Sequence, residues 1–290
     1  MGLCDQVRRG CGELAASARH VQIETERLGA VEPGPPPSLD PKRHYLEGAP
    51  EDVAAYLLTL DSINFGSGWF PTLRKRPGHS GYFTVAAALA DQFRGNGPWS
   101  PAELLRLDAE AVALVLDQDP PHELMGLYAK ALNDLGRFLE GRGALEVVDA
   151  AGGSAERLAT TLAHAMPFFD DSGFWKRAQI TANDLALAGL ADFEDLDRLT
   201  IFADNLVPHV LRMDGVLVYD DALAAHIDSG ELLPPGGAER EIRACAGHAC
   251  ELLAAALGVP PRTLDVWLWD RGQEPGYKTR PRHRTRTVYY

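Results

Sequence analysis

Seven stretches of this chain place their apolar residues three and four positions apart, the spacing that lines one face of an α-helix: 51–60, 87–93, 101–116, 123–139, 154–166, 174–190 and 239–257. Several open after Ser, Asp or Gly-Pro, which are helix-start signals. Alternation with period two is scarce, and only 82–85 and 215–219 read as candidate strands. The pattern predicts a mainly α fold. With 290 residues, 46% of them hydrophobic, the chain can bury one large core or two modest ones without a disulfide or a metal. The expectation is a single helical domain over 1–290 with two lobes, about 1–152 and 153–290, divided near Gly152. The proline-rich piece 32–42 is too short for a domain linker and reads as an extended strap.

A formal net charge of −13 argues against a partner bound mainly through its phosphate backbone, because duplex binding usually needs a basic face. A small ligand with a cationic group fits better. No stretch approaches the roughly 18 apolar residues of a membrane span, and the first residues lack the apolar core of a signal peptide, so a cytoplasmic location is expected. Gly2 invites myristoylation, but Gln6 stands where a hydroxyl residue is wanted. Cys4, Cys11, Cys245 and Cys250 form no CxxC pair, and only His248 lies near them, so no metal site is expected. Cys245 and Cys250 fall on the apolar side of the 239–257 helix and should simply pack there.

One residue is out of keeping with its surroundings. Asp204 sits inside the run Leu199-Thr200-Ile201-Phe202-Ala203-Asp204-Asn205-Leu206-Val207-Pro208-His209-Val210-Leu211. A carboxylate among so many core-type side chains either suffers desolvation or has specific partners, and both mark a candidate working group. Pro208 sharpens the point, since its ring clashes with the carbonyl four residues back, at Asp204 itself. The backbone should break there, with Asp204 as the cap of a new helix starting near Asn205.

Four further clusters mix aromatic and charged residues. Lys176 follows Phe174 and Trp175 at a helix start in a chain with only 5 lysines, although a solvated helix-start cation would look the same. His44 lies in Lys42-Arg43-His44-Tyr45, where a surface histidine is the plainer reading. The glycines of 60–70 lack any phosphate-loop spacing. At the carboxyl end, Asp265 and Asp270 interleave with Trp267 and Trp269, which suits a pocket for a flat ring but also a helix whose aspartates face water. The tail that follows carries Arg280, Arg282, Arg284 and Arg286 and ends in Val288-Tyr289-Tyr290, apolar groups able to dock it. A docked tail could offer arginines to a phosphate.

Together these pieces resemble the queuosine salvage family of queuosine 5′-phosphate N-glycosylase/hydrolases. The resemblance runs through 61–65, 80–83, 174–180, 199–211, 239–243, 268–270 and 283–290, in family order, with Lys-Arg-Ala-Gln-Ile, Phe-Ala-Asp and the final Tyr-Tyr as its most specific pieces. It implies a helical core similar to that of helix-hairpin-helix DNA glycosylases. The family's catalytic aspartate falls on Asp204 and its motif lysine on Lys176, while base-binding positions fall on His44, Phe202, Asp265, Val266 and Asp270. The chain departs from many eukaryotic members after Asp204, where Asn205-Leu206 replaces Tyr-Arg, and at Val266, where an aromatic is usual.

The implied reaction is hydrolysis of queuosine 5′-monophosphate to queuine and ribose 5-phosphate. Departure of the base leaves positive charge on the sugar, and a carboxylate beside that carbon stabilises it. The base is a 7-deazaguanine without an N7 to protonate, so Asp265 or Asp270 would act on its N–H edge or its cationic side chain, and Phe202 would supply a ring face. Lys176, Arg280, Arg282, Arg284 and Arg286 are the candidates for the 5′-phosphate. The resemblance implies a small nucleotide substrate and no cofactor, metal, DNA or membrane partner, with the chain acting as a monomer. A non-catalytic nucleic-acid or nucleotide binder on a glycosylase-like scaffold, or a helical interaction protein, are the rival classes.

Overall fold

The computed structural model describes residues 1–30 and 32–290. Helix accounts for 56% of it, and the only sheet among the described residues has two strands, so the mainly α expectation holds. In chain order the α-helices are α1 (Leu3–Ala16), α2 (Pro50–Ser62), α3 (Gly81–Asn96), α4 (Pro101–Leu104), α5 (Ala109–Val115), α6 (Glu123–Phe138), α7 (Ala144–Asp149), α8 (Ala155–Ala165), α9 (Lys176–Leu187), α10 (Val207–Met213), α11 (Asp221–Asp228), α12 (Ala238–Leu257) and α13 (Pro261–Arg271). No single helix among the described residues is long and apolar enough to cross a membrane.

Two sequence expectations need correction. Residues 82–85 are not a strand but the first turns of α3, because Ser80 caps that helix by accepting the Phe83 amide on its hydroxyl. The expected helix 101–116 is two helices. Ser100 and Glu103 form a capping box on α4, and Asp108 caps α5 by accepting the Ala111 amide at 2.9 Å. The strand expected at 215–219 is present as β2 (Leu217–Tyr219), paired antiparallel with β1 (Val21–Ile23) in the register Val21 to Tyr219.

Two compact units are interleaved along the chain. One comprises residues 1–37, 172–176 and 197–287, and the other 38–171, 177–196 and 288–290. Gly152, where the sequence suggested a division, lies within the second unit.

The first unit is built on α12, whose buried face carries Ile242, Cys245, Ala249, Cys250 and Leu253 and packs against α1, α10, α13 and β1. Small residues allow α1 to come close: a Cβ on Gly247 would meet the Cys11 sulfur at 2.8 Å. All four cysteines are buried free thiols. Glu241 of α12 accepts the consecutive amides of Arg19, His20 and Val21 on one carboxylate oxygen, which fixes the entry to β1. The proline-rich strap is anchored in this unit at Pro35, whose carbonyl accepts the Trp267 indole N–H at 2.7 Å. Only a glycine fits at position 34, where a Cβ would fall 2.5 Å from the same ring.

The second unit is organised around α2, which is buried over most of its length and packs against α3, α6 and α7. Arg177 is its central polar group. Only 1% exposed, it donates to the carbonyls of Asp61, Ser62, Phe168 and Val288, and its guanidinium lies over the rings of Phe65 and Phe169. Tyr290 is docked in the same unit, its backbone oxygen accepting the Gly66 amide at 3.0 Å.

Candidate active site

In the first unit, residues 199–206 cross from the short turn Leu196–Arg198 to α10 without helix or strand hydrogen bonds of their own. An irregular segment leaves its amides and carbonyls to be satisfied by side chains, and three aspartate and arginine groups do so here. The Phe202 amide donates to Oδ1 of Asp265, on α13, at 2.8 Å. The Ala203 carbonyl accepts Nε–H of Arg243, on α12, at 2.9 Å. Asp204 turns its own Oδ1 onto the amides of Leu206 and Val207, at 2.7 and 3.0 Å, which covers two of the orphan donors at the start of α10. The expected break is present but lies two residues further on: α10 starts at Val207 with Leu206 as its N-cap and Pro208 in its first turn, so Asp204 is not the cap residue itself and instead holds the cap and first helical amides from two residues upstream. Among the described residues Oδ2 of Asp204 makes no hydrogen bond.

Asn205 continues the arrangement by donating to the His283 carbonyl at 2.9 Å, which ties the tail to the same segment. His283 is buried, and that burial, reinforced by the charges of Arg243 and Arg282, pushes its imidazole down to about 3. It is a neutral ring at physiological pH. His209, also held down by burial, pairs with the Tyr277 carbonyl at 2.7 Å.

The four tail arginines do not act as one group. Arg280 binds Asp228, and Arg284 binds the Gly230 carbonyl, so both fasten the tail to the end of α11 and the turn after it. Thr285 and the Arg284 carbonyl complete that seam through Leu233, at 2.9 and 2.8 Å. Burial resists ionisation of Asp228, yet Arg212 and Arg280 hold its carboxyl below the ordinary carboxylate range. Arg286 is exposed. Arg282 lies within electrostatic reach of Asp204: burial lowers its pKa and the Asp204 charge opposes that shift.

The carboxyl-end aspartates also separate. Five residues apart on α13, they point about 140° away from each other around the helix. Asp265 is 5% exposed and bonded to Phe202, Asp270 is exposed, and Val266 is half-buried.

Lys176 is 6% exposed, which rules out the solvated-cation reading. It ends the segment 172–176 of the first unit, and Trp175 just before it adopts a left-handed φ of 46°. Phe174 in that segment stacks against the guanidinium of Arg243 at 4.0 Å.

His44 belongs to the second unit and is 5% exposed, so it is not a surface histidine either. Its Nδ1 lies 3.0 Å from the Asp40 carbonyl and Nε2 lies 3.2 Å from the Tyr82 hydroxyl. A carbonyl can only accept, so Nδ1 carries the proton and Nε2 accepts from Tyr82. Burial lowers the His44 pKa, and burial raises that of Tyr82, so both partners stay neutral.

Sequence reasoning passed over Arg243 and Glu239 as site residues. The signal was present: they stand four apart in the buried stripe of α12, in positions otherwise filled by Ile242, Ala246 and Leu253. A groove of about 500 Å³ on the first unit contains none of the expected site residues, and its Arg8 and Asp197 are paired with Glu251 and Arg262. Among the described residues no group of three or more His, Cys, Asp or Glu is placed to hold a metal ion.

The family model described as queuosine salvage protein matches residues 43–290. A protein of Sphaerobacter thermophilus named queuosine 5′-phosphate N-glycosylase/hydrolase is 34% identical, over 88% of this chain and 86% of its own length. Proteins of the same name from Mus musculus and Bos taurus are 29% and 28% identical, covering 84% and 98% of this chain and 83% and 92% of theirs.

Proposed function

Because this chain belongs to the queuosine salvage protein family, we propose that it hydrolyses the N-glycosidic bond of queuosine 5′-monophosphate at Asp204, releasing queuine and ribose 5-phosphate. The observation that carries the reading is the state of the Asp204 carboxylate. One oxygen is locked by the amides of Leu206 and Val207, while the other makes no bond within the described residues. A carboxylate fixed in this way needs no reorganisation to stabilise an oxocarbenium-like sugar as the base departs. Water attacks the anomeric carbon, the C–N bond breaks with its electron pair going to the base, and the proton lost by that water is matched by one taken up at the base's ring nitrogen, directly or through solvent, so the sum is substrate plus water to queuine plus ribose 5-phosphate.

Phe202, Asp265, Val266, Asp270 and His44 are proposed to receive the deazaguanine. Asp265 is supported by its place beside Phe202, and His44 by a buried ring in a defined tautomer. Lys176 is proposed for the 5′-phosphate, supported by its burial on a segment linked through Phe174 and Arg243 to Ala203. Arg282 is its best-supported partner among the tail arginines, since Arg280 and Arg284 are engaged at α11. The whole chain is proposed to act as one salvage domain, a cytoplasmic monomer working on a free nucleotide, and its net charge of −13 supports a partner other than DNA.

The test is turnover of queuosine 5′-monophosphate by the wild type and by Asp204→Asn, read as free queuine. Asparagine keeps an oxygen for the Leu206 and Val207 amides, so the fold should survive while kcat falls by roughly two to three orders of magnitude. Turnover of the variant within tenfold of wild type would remove Asp204 from the chemistry.

A further inference from the structure

Arg243 is 2% exposed, and its guanidinium makes three contacts that bear on the site. Nε–H donates to the Ala203 carbonyl at 2.9 Å, Nη1 lies 3.4 Å from the Glu239 carboxylate one turn earlier, and the plane covers Phe174 at 4.0 Å. One buried side chain thus touches both the residue before Asp204 and the aromatic two residues before Lys176. A buried Arg–Glu pair adds little to stability on its own, since desolvation offsets the attraction. What it does fix is geometry: a planar fork with donors in set directions holds a carbonyl where a flexible ammonium would not.

We propose that Arg243 is a positioning residue for the reaction, holding the backbone of Ala203 so that Oδ2 of Asp204 keeps a set place relative to the segment that carries Lys176. It rests on the reading of Asp204 as the catalytic carboxylate, and it adds a residue that never touches substrate. Asp265 restrains the neighbouring amide of Phe202, whereas Arg243 touches both the Asp204 segment, at the Ala203 carbonyl, and the 172–176 segment, at the Phe174 ring. A displacement of the order of 1 Å in a reacting group can cost about a hundredfold in rate.

Arg243→Lys keeps a positive charge beside Glu239 yet cannot present the same N–H to Ala203 while facing that carboxylate. It should melt close to wild type and lose roughly tenfold to a hundredfold in kcat, with KM for queuosine 5′-monophosphate little changed. If it does not fold, the paired change Glu239→Gln with Arg243→Met removes both charges together and answers the same question. Because Arg243 acts through Asp204, the double variant Asp204→Asn with Arg243→Lys should be no slower than Asp204→Asn alone. A kcat within threefold of wild type in the folded Arg243 variant, or losses that multiply in the double variant, overturns the proposal. Asp204→Asn by itself separates the two readings: if that variant turns over like wild type, the catalytic assignment fails first and this proposal falls with it.

Discussion

The Phe202 amide is bonded to the carboxylate of Asp265, 63 residues away in sequence, at 2.8 Å and out of contact with water. Asp265 is therefore both a part of the segment's scaffold and a candidate for the base edge. Asp265→Ala should leave the buried amide without an acceptor and cost about 1–3 kcal/mol of stability, together with queuine affinity. Asp265→Asn retains an oxygen for that amide, so its melting temperature should stay close to wild type while queuine affinity falls with the lost charge. Thermal melts and calorimetric titration with queuine separate the two effects, and equal affinity in wild type and Asn variant would reduce Asp265 to scaffold.

Arg177 gives the second unit its counterpart. Its guanidinium serves four backbone carbonyls from three separate stretches of chain, and burial lowers its pKa to about 10, still well above neutrality. Arg177→Met leaves those carbonyls without a donor and should cost roughly 3–5 kcal/mol in urea unfolding. Arg177→Lys should recover only part of it, because an ammonium cannot reach acceptors spread around a plane. A loss below about 1 kcal/mol for the Met variant would mean that the carbonyls find other partners.

Helices with a one-sided apolar stripe, such as α6, α8 and α12, were legible because their period decides between helix and strand without tertiary help. The 82–85 segment misled because Tyr82, Phe83, Thr84 and Val85 favour strands, while the cap at Ser80 and the core around α3 overrode that preference. Asp204 stood out through a local conflict, a charge in an apolar run beside a proline. The engagement of Arg280 and Arg284 was not legible, because their partners, Asp228 and Gly230, lie more than 50 residues away and only folding brings them together. Arg243 and Glu239 left only a faint signal, two charges four apart in the apolar stripe of α12, which takes on meaning once the burial of both and the Ala203 contact are known.

His283 makes stability depend on pH in a direction fixed by its surroundings. Its folded pKa of about 3 lies below the ordinary 6.5, because burial and the nearby arginines penalise the imidazolium. Above pH 6.5 both folded and unfolded states are neutral at this ring, and its contribution to stability is fully present. Below 6.5 the unfolded chain takes up a proton that the folded chain refuses, so stability declines by about 1 kcal/mol per pH unit until the folded pKa is reached. His44 and His209, also lowered, act with the same sign. Urea unfolding at pH 7.5 and 5.5 should show wild type losing stability and His283→Gln losing less. An identical loss in both proteins would mean that His283 is protonated in the folded state.

The proposed phosphate contact of Lys176 predicts how strongly the substrate's phosphate matters. The lysine is buried at the end of a segment fixed by the stacking of Phe174 on Arg243, so its position is set before any ligand arrives. A preset cation can bind the 5′-phosphate and use that binding energy to orient the sugar against Asp204, which raises kcat/KM for the nucleotide and does nothing for the nucleoside. Wild type should therefore prefer queuosine 5′-monophosphate over queuosine. Lys176→Ala should lower kcat/KM for the monophosphate by roughly tenfold to a hundredfold, as expected for a lost charge-assisted contact of about 1.5–3 kcal/mol, and leave the nucleoside nearly unaffected. Arg282→Ala should follow the same pattern if the tail arginine shares the phosphate, whereas Arg280→Ala should act on stability through Asp228 and leave the ratio alone. Equal losses on nucleotide and nucleoside in Lys176→Ala would instead make the lysine a support for the reacting sugar and move the phosphate to other residues.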